Sequence, residues 1–213
     1  MTATICPTIT AQEPHGYRAQ IERIEPFAVR WHIDVADGEM TPRKLIDLDK
    51  LWWPGNVQVD MHVMYKSPQE HLELFIVQHP RLIIIQSEAE GDFDQWSSTL
   101  HRHGIEVGVA LLPETPVSLI AGALGKIDHV MVFSGNLGYQ GGSHADLGLL
   151  DKVAELRSLK PQLEIGWDGG VNDENARQIA EAGVDVLNVG GFIHEAHNPR
   201  AAYDHLVQLT TGT

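Results

Sequence analysis

Scarcity is the first feature of this 213-residue sequence: one cysteine, no long apolar run, and few cations for its size. The lone Cys6 excludes an internal disulfide and fits a reducing compartment, where it reads as a small buried residue near a strand start. No stretch approaches the roughly 20 apolar residues that a membrane-crossing helix needs. The opening MTATICPTITAQEP has no basic segment followed by an apolar run, the mark of a secretory signal. A cytoplasmic chain without a membrane partner is therefore expected. Fifteen Lys and Arg stand against 29 Asp and Glu, a formal charge of -14. Nucleic acid and anionic membrane surfaces call for basic patches that this balance does not offer. An anionic substrate must instead be held by local devices: backbone amides, helix N-termini or a metal. No Pro/Gly/Ser-rich linker or low-complexity segment interrupts the chain, so one domain over 1–213 is expected.

Eight short apolar or β-branched runs alternate with longer amphipathic segments, the pattern of repeated strand–helix units. Strands are expected at 2–6, 29–35, 57–63, 81–86, 106–112, 129–133, 163–167 and 184–189. Several are apolar almost throughout, as parallel strands buried on both faces are. Segments such as SPQEHLELFIVQH, DFDQWSSTLHRHG and NDENARQIAEAG supply helices. Ser67-Pro68 and Asn172 mark starts, and Gly104 and Gly183 mark ends. Eight such units favour a closed single (β/α)8 TIM barrel over an open sheet. Residues 36–56 are expected to form a long loop with a short helix, the kind of segment that walls an active site.

In such a barrel the functional groups sit at the C-terminal ends of the strands. There the sequence places polar residues where buried strands prefer apolar ones. Strand two ends in His32-Ile33-Asp34, and the two-residue period points both polar side chains to one face, the interior. Strand three ends in Asp60-Met61-His62, which turns His62 inward, and strand seven leads into Asp168-Gly169-Gly170. A single inward His is usually a hydrogen-bonded core residue, and Asp34 with His62 would serve as a buried ion pair. Two carboxylates and two imidazoles buried together without partners are costly, and one divalent cation resolves the cost. The donor set His32, Asp34, His62 and Asp168 suits Zn²⁺ first, with Mn²⁺, Fe²⁺ or Co²⁺ as other candidates.

Ordered motifs at matching spacings resemble the ribulose-phosphate 3-epimerase family. ICPTI, WHIDVADGEMTP, VDMHVM, SEAE, GVALLPETP, MVFSGNLGYQGG and WDGGV follow one another as the family's own segments do, covering the chain from Cys6 to about Phe192. The resemblance implies a ribulose-phosphate-binding barrel whose metal is held by His32, Asp34, His62 and Asp168. It implies that Asp34 and Asp168 also act as acid and base, moving the C3 proton of D-ribulose 5-phosphate to give D-xylulose 5-phosphate through an enediolate. Thr8 matches a family serine near the substrate. Met64 and Met131 match methionines that shield the enediolate, although ordinary core packing would account for both. Gly138, Gln140, Gly169, Gly170, Gly190 and Gly191 fall in the loops that grip the phosphate. Such an enzyme belongs to pentose phosphate metabolism, takes a small sugar phosphate, and is expected to be a homo-oligomer, with Trp52-Trp53 as a candidate interface.

Several positions depart from the family pattern. Ala36 stands for a methionine and should enlarge the pocket beside the metal. Gln86 replaces a histidine, and Arg43 replaces an asparagine. Asn136 and Tyr139 replace glycines after strand six, and Gly190-Gly191-Phe192 replaces a Gly-Ser pair after strand eight. These changes leave open another phosphoketose, or a catalytically altered paralogue that binds a sugar phosphate. A sugar-phosphate lyase or synthase on the same barrel is a further alternative. It would need a lysine in strand three, where this chain has Asp60-Met61-His62-Val63-Met64. His101, His103, His194 and His197 read as solvated helix or loop residues.

Overall fold

The computed structural model describes residues 2–211. Strand β1 (Thr4–Ile9) leads to helix α1 (Pro14–Ile24), then β2 (Arg30–Ala36), β3 (Gln58–Met64) and α2 (Leu72–Gln78). Next come β4 (Leu82–Gln86), α3 (Phe93–Arg102), β5 (Glu106–Leu111) and β6 (His129–Phe133). The chain ends with α4 (Leu150–Leu159), β7 (Glu164–Asp168), α5 (Ala176–Glu181), β8 (Val186–Val189), α6 (Gly191–His194) and α7 (Pro199–Thr210). Each strand pairs in parallel with the next and β8 returns to β1, so the sheet closes into the expected barrel.

Strand boundaries fall within one or two residues of the sequence expectation, with two larger differences. Strand β1 runs three residues further, through Pro7, which lies where pairing passes from β8 to β2: Pro7 is opposite Val189, and Thr8 opposite His32. This handover is where a strand tolerates a missing N–H. Helix α5 starts at Ala176 rather than near Asn172, because Asn172 to Asn175 form a polar turn. In that turn Asn175 Oδ1 accepts from the Asn172 amide and Asn175 Nδ2 donates to Gly170 O. The connection between β5 and β6 consists of short 3-10 turns, Val117–Leu119 and Ala121–Lys126.

Alternation along the strands sorts residues into two cores. Trp31, Ile33, Val35, Val107, Ile165, Trp167 and Leu187 face outward into an apolar shell shared with Tyr17, Ile21, Phe75 and Leu100 of the helices. Each such buried side chain contributes about 1.5–3 kcal/mol. Inside the barrel, Leu82, Ile84, Ala110, Met131 and Phe133 fill the middle. Beneath them the N-terminal mouth is closed by charge. Asp60 accepts from Arg30 Nε and from Arg81 Nε, each at 2.8 Å. Glu164 accepts from both terminal nitrogens of Arg30 and from Arg81, and its Oε1 lies 2.9 Å from His129 Nδ1. Arg81 also reaches Glu106 at 2.7 Å.

Residues 36–56 wall one side of the C-terminal mouth with little regular structure beyond the 3-10 turn Leu48–Lys50. Trp52 is 46% exposed and sets its ring edge-on to Tyr17, while Trp53 packs against the shell. Among the described residues no helix is long and apolar enough to cross a membrane.

Candidate active site and metal centre

The register of β2 against β3 sets His32 opposite Asp60 and Asp34 opposite His62. Asp168 ends β7 across the interior, and one donor atom from each of His32, Asp34, His62 and Asp168 lies within 4.8 Å of the others. His62 Nδ1 is 3.0 Å from Asp34 Oδ1, whose second oxygen accepts from Thr10 Oγ1 at 2.6 Å. His32 Nε2 stands 3.3 Å from Asp34 Oδ1 and 3.6 Å from Asp168 Oδ2, yet neither of its ring nitrogens has a hydrogen-bond partner among the described residues. Both imidazoles are wholly buried. An imidazole nitrogen held between two carboxylates is placed to share a cation with them. Two nitrogen and two oxygen donors fit one divalent transition metal.

The carboxylates differ in proton affinity. Burial opposes charge on Asp34, but the adjoining His32 and His62 imidazoles outweigh it and hold its carboxyl well below the usual range. Burial and the neighbouring Asp34 charge push Asp168 up to about 7, against the pull of His32. His62 shifts down because burial dominates; His32 shifts up because Asp34 and Asp168 overcome the cost of burial.

Gln86 holds the far side of His62, its Nε2 lying 2.7 Å from His62 Nε2. An amide nitrogen only donates, so His62 Nε2 accepts and His62 Nδ1 carries the hydrogen given to Asp34. A metal at His62 Nδ1 would move that hydrogen to Nε2. A half-turn of the Gln86 amide then presents its Oε1, a buried atom with no partner among the described residues. The glutamine can therefore serve either tautomer, and such partners orient metal-binding histidines.

Above these four residues opens a cavity of about 210 Å³, lined by the ends of β1, β2, β3, β6, β7 and β8 and their loops. Thr8, Met64, Gly138, Gln140, Gly169, Gly170, Gly190 and Gly191 all line it. Met131 lies one layer lower in the interior core, its sulfur 3.3 Å from Asn188 Nδ2. The Gln140 amide nitrogen is engaged within the protein, donating to Thr8 O and to Gln20 Oε1. Gly169 and Gly170 have φ of +113° and +71°, and a Cβ on either would overlap the backbone of Gly135 or Ala145. Their small size lets the loop after β6 lie directly on the loop after β7.

Two expectations are corrected here. Ala36 does not widen the cavity: it is fully buried, and Leu45, Met64 and Leu137 pack into the space that a larger side chain would take. His194 is not solvated: both ring nitrogens are buried, and burial lowers its pKa to about 4, outweighing the Thr8 backbone. The other three histidines are exposed, and His101 pairs with Asp128 at 2.7 Å.

Sequence reading passed over Thr10, Asn188 and Glu195. Thr10 follows Thr8 by two residues, so the strand period could have found it. Asn188 interrupts an apolar run and carried the same kind of signal as His32. Glu195 is exposed and gave none, yet its Oε1 would sit 3.0 Å from a Cβ on Gly141 and 3.5 Å from one on Gly191. Its carboxylate thus hangs between the loops after β6 and β8. No lysine or arginine among the described residues lines the cavity. Arg43 lies at its rim, stacked 4.2 Å over the Tyr139 ring.

Residues 4–194 match the family described as ribulose-phosphate 3 epimerase. The chain is 30% identical over 182 residues to ribulose-phosphate 3-epimerase of Helicobacter pylori strain J99, covering 82% of this chain and 83% of that one. It is 27% identical over 204 residues to the Schizosaccharomyces pombe protein of that name, covering 92% and 89%. In shape it is similar to 3-hexulose-6-phosphate synthase of Salmonella typhimurium, with a TM-score of 0.72 at 15% identity over 99% of this chain and 98% of that one. That likeness shows the fold alone.

Proposed function

The chain belongs to the ribulose-phosphate 3-epimerase family, and on that premise we propose that it interconverts D-ribulose 5-phosphate and D-xylulose 5-phosphate, or a closely related phosphoketose, by moving the proton at C3. The observation that carries this reading is the pair Asp34 and Asp168, on strands across the barrel interior and within 4.8 Å of the same two imidazoles. One ionised carboxylate takes the C3 proton from one face of the sugar. The C3–H electron pair becomes the C2–C3 double bond, and the carbonyl electrons move onto O2. The other carboxyl then delivers its proton to C3 from the opposite face, inverting that centre. The reverse reaction exchanges the two roles, as microscopic reversibility requires.

His32, Asp34, His62 and Asp168 would hold one divalent cation, Zn²⁺ before Mn²⁺, Fe²⁺ or Co²⁺. When bound, it would supply Lewis-acid stabilisation of the charge that develops on the substrate oxygens. Thr10 fixes the Asp34 rotamer through its 2.6 Å bond, and Gln86 fixes the His62 ring. Met64 keeps an apolar face on the cavity, and the glycine-rich loops after β6, β7 and β8 would receive the phosphate. Glu195 among those loops favours, as a second reading, a paralogue with an altered distal group. We further infer a cytoplasmic homo-oligomer, a reading supported by the single free Cys6 and the exposed Trp52.

Incubation with ribulose 5-phosphate in D₂O, followed by NMR, tests the reading: deuterium should enter at C3 as xylulose 5-phosphate forms. Asp168→Asn should abolish exchange while the protein stays folded. Removing metal with a chelator should silence the enzyme, and Zn²⁺, Mn²⁺ or Co²⁺ should restore it. Wild-type turnover by Asp168→Asn, or full activity in verified metal-free protein, would refute the respective part.

A further inference from the structure

Building on the epimerase reading, we propose that Asn188 recognises the substrate hydroxyl on the carbon next to the reacting one, and so decides which ketoses the site accepts. Asn188 is the polar residue in the otherwise apolar strand β8, is 2% exposed, and lines the cavity. Its Nδ2 points to the thioether of Met131 at 3.3 Å, a weak acceptor. Its Oδ1 is buried with no hydrogen-bond partner among the described residues. A valine at this position would pack in the barrel without leaving such an atom. An unsatisfied buried carbonyl is costly, so a donor from the ligand is the natural complement.

Position identifies the donor. Asn188 lies directly opposite Asp168 in the β7–β8 register, and β8 runs on from it to Gly190 and Gly191. Asp168 acts at the reacting carbon, C3, and the glycines lie where the far end of the sugar rests. A group at Asn188 therefore meets the carbon between them, C4. Among the described residues the cavity supplies no lysine or arginine to donate to Asn188, whereas a sugar hydroxyl donates readily. On β1, the other neighbour of β8, Thr8 Oγ1 is also buried without a partner among the described residues. Both orphaned oxygens line the same cavity, with Asn188 as the acceptor. A site built around a hydroxyl rejects analogues that lack it far more strongly than an apolar pocket rejects a missing methylene.

The test pairs turnover with binding. Ribulose 5-phosphate and its 4-deoxy counterpart are compared by C3 deuterium exchange, in wild type, Asn188→Val and Asn188→Ser. The unreactive pentitol 5-phosphate and its 4-deoxy form are compared by calorimetric titration. Wild type should prefer the hydroxylated compound by at least about 100-fold in kcat/KM and tenfold or more in Kd. Asn188→Val should shrink both preferences to a few-fold, with little loss on the deoxy compounds, and Asn188→Ser should retain an intermediate preference. A merely structural role would lower all activities together and leave the ratios unchanged. Ratios in Asn188→Val equal to those of wild type, or a wild type that binds both pentitols alike, would overturn the assignment of Asn188. Hydroxyl-dependent binding without any C3 exchange would support the assignment of Asn188 and overturn the epimerase reading instead.

Discussion

Replacing Asp60 with alanine should destabilise the protein severely while sparing its chemistry. The Asp60 carboxylate is 1% exposed and sits between two guanidinium groups, 2.6 Å from Arg30 Nη2 and 2.8 Å from Arg81 Nε. Removing one member of a buried ionic network typically costs about 3–5 kcal/mol, because the remaining charges lose their compensation. Here the lower end applies. Arg30 and Arg81 keep Glu164, Arg81 keeps Glu106, and their side chains are 12% and 20% exposed. For a chain of this length each kcal/mol shifts Tm by roughly 2–4 °C, so the expected fall is about 6–12 °C. Asp60→Asn keeps the volume and one acceptor and should lose about half as much. Scanning calorimetry measures the shift, and C3 exchange at 25 °C should stay within about twofold of wild type, since Asp60 is absent from the cavity lining. A fall below about 2 °C for Asp60→Ala would mean that the network is worth no more than exposed ion pairs, and the reasoning would fail.

Glu164→Gln should separate stability from pH in a defined direction. Burial would raise the Glu164 carboxyl, but His129 and Arg30 overcome it and hold it far below the usual range. Its contribution is therefore complete above the unfolded value of about 4.3 and is lost as pH falls below it. The Tm gap between wild type and Glu164→Gln should be widest near pH 6–7 and narrow below about pH 4; a constant gap would contradict the assignment. Glu195→Gln should lower KM for ribulose 5-phosphate severalfold with kcat little changed, by removing a like charge near the phosphate loops; an unchanged KM in steady-state kinetics would dismiss that repulsion. Gln86→Leu leaves His62 Nε2 without a partner and should weaken Zn²⁺ binding about 10- to 100-fold in chelator competition. Equal affinity would show that Gln86 does not orient the ring. Gly169→Ala should cost several kcal/mol or prevent folding, because its Cβ would overlap the Gly135 amide in a left-handed backbone; near wild-type Tm would refute that packing argument.

Much of this was legible beforehand because strand periodicity is a strict rule. Polar residues two apart at the ends of apolar runs, as in His32-Ile33-Asp34 and Asp60-Met61-His62, must share a face, and Asp168 stands at a strand end, so the gathering of these four side chains was legible in the sequence. The same rule applied to Asp60, Glu164 and Arg30 would have shown the second polar layer at the other mouth, where nothing in the motifs drew attention. Contacts made by loops were not legible. Leu137 filling the space beside Ala36, and Glu195 reaching between Gly141 and Gly191, depend on how irregular segments fold over one another. His194 misled for a related reason: histidine is usually wet, and its burial here follows from how α6 packs behind Thr8.

The two polar layers have an outcome for anyone who would transplant this chemistry. Three strands each carry polar side chains at both ends of the interior: Arg30 below His32 and Asp34, Asp60 below His62, Glu164 below Asp168. A one-residue slip in any of them would turn both sets out into the apolar shell at once. The spacings R-x-H-x-D, D-x-H and E-x-x-x-D therefore behave as indivisible cassettes. A host barrel given only the upper residues would receive donors without the anchors that hold their strands in phase.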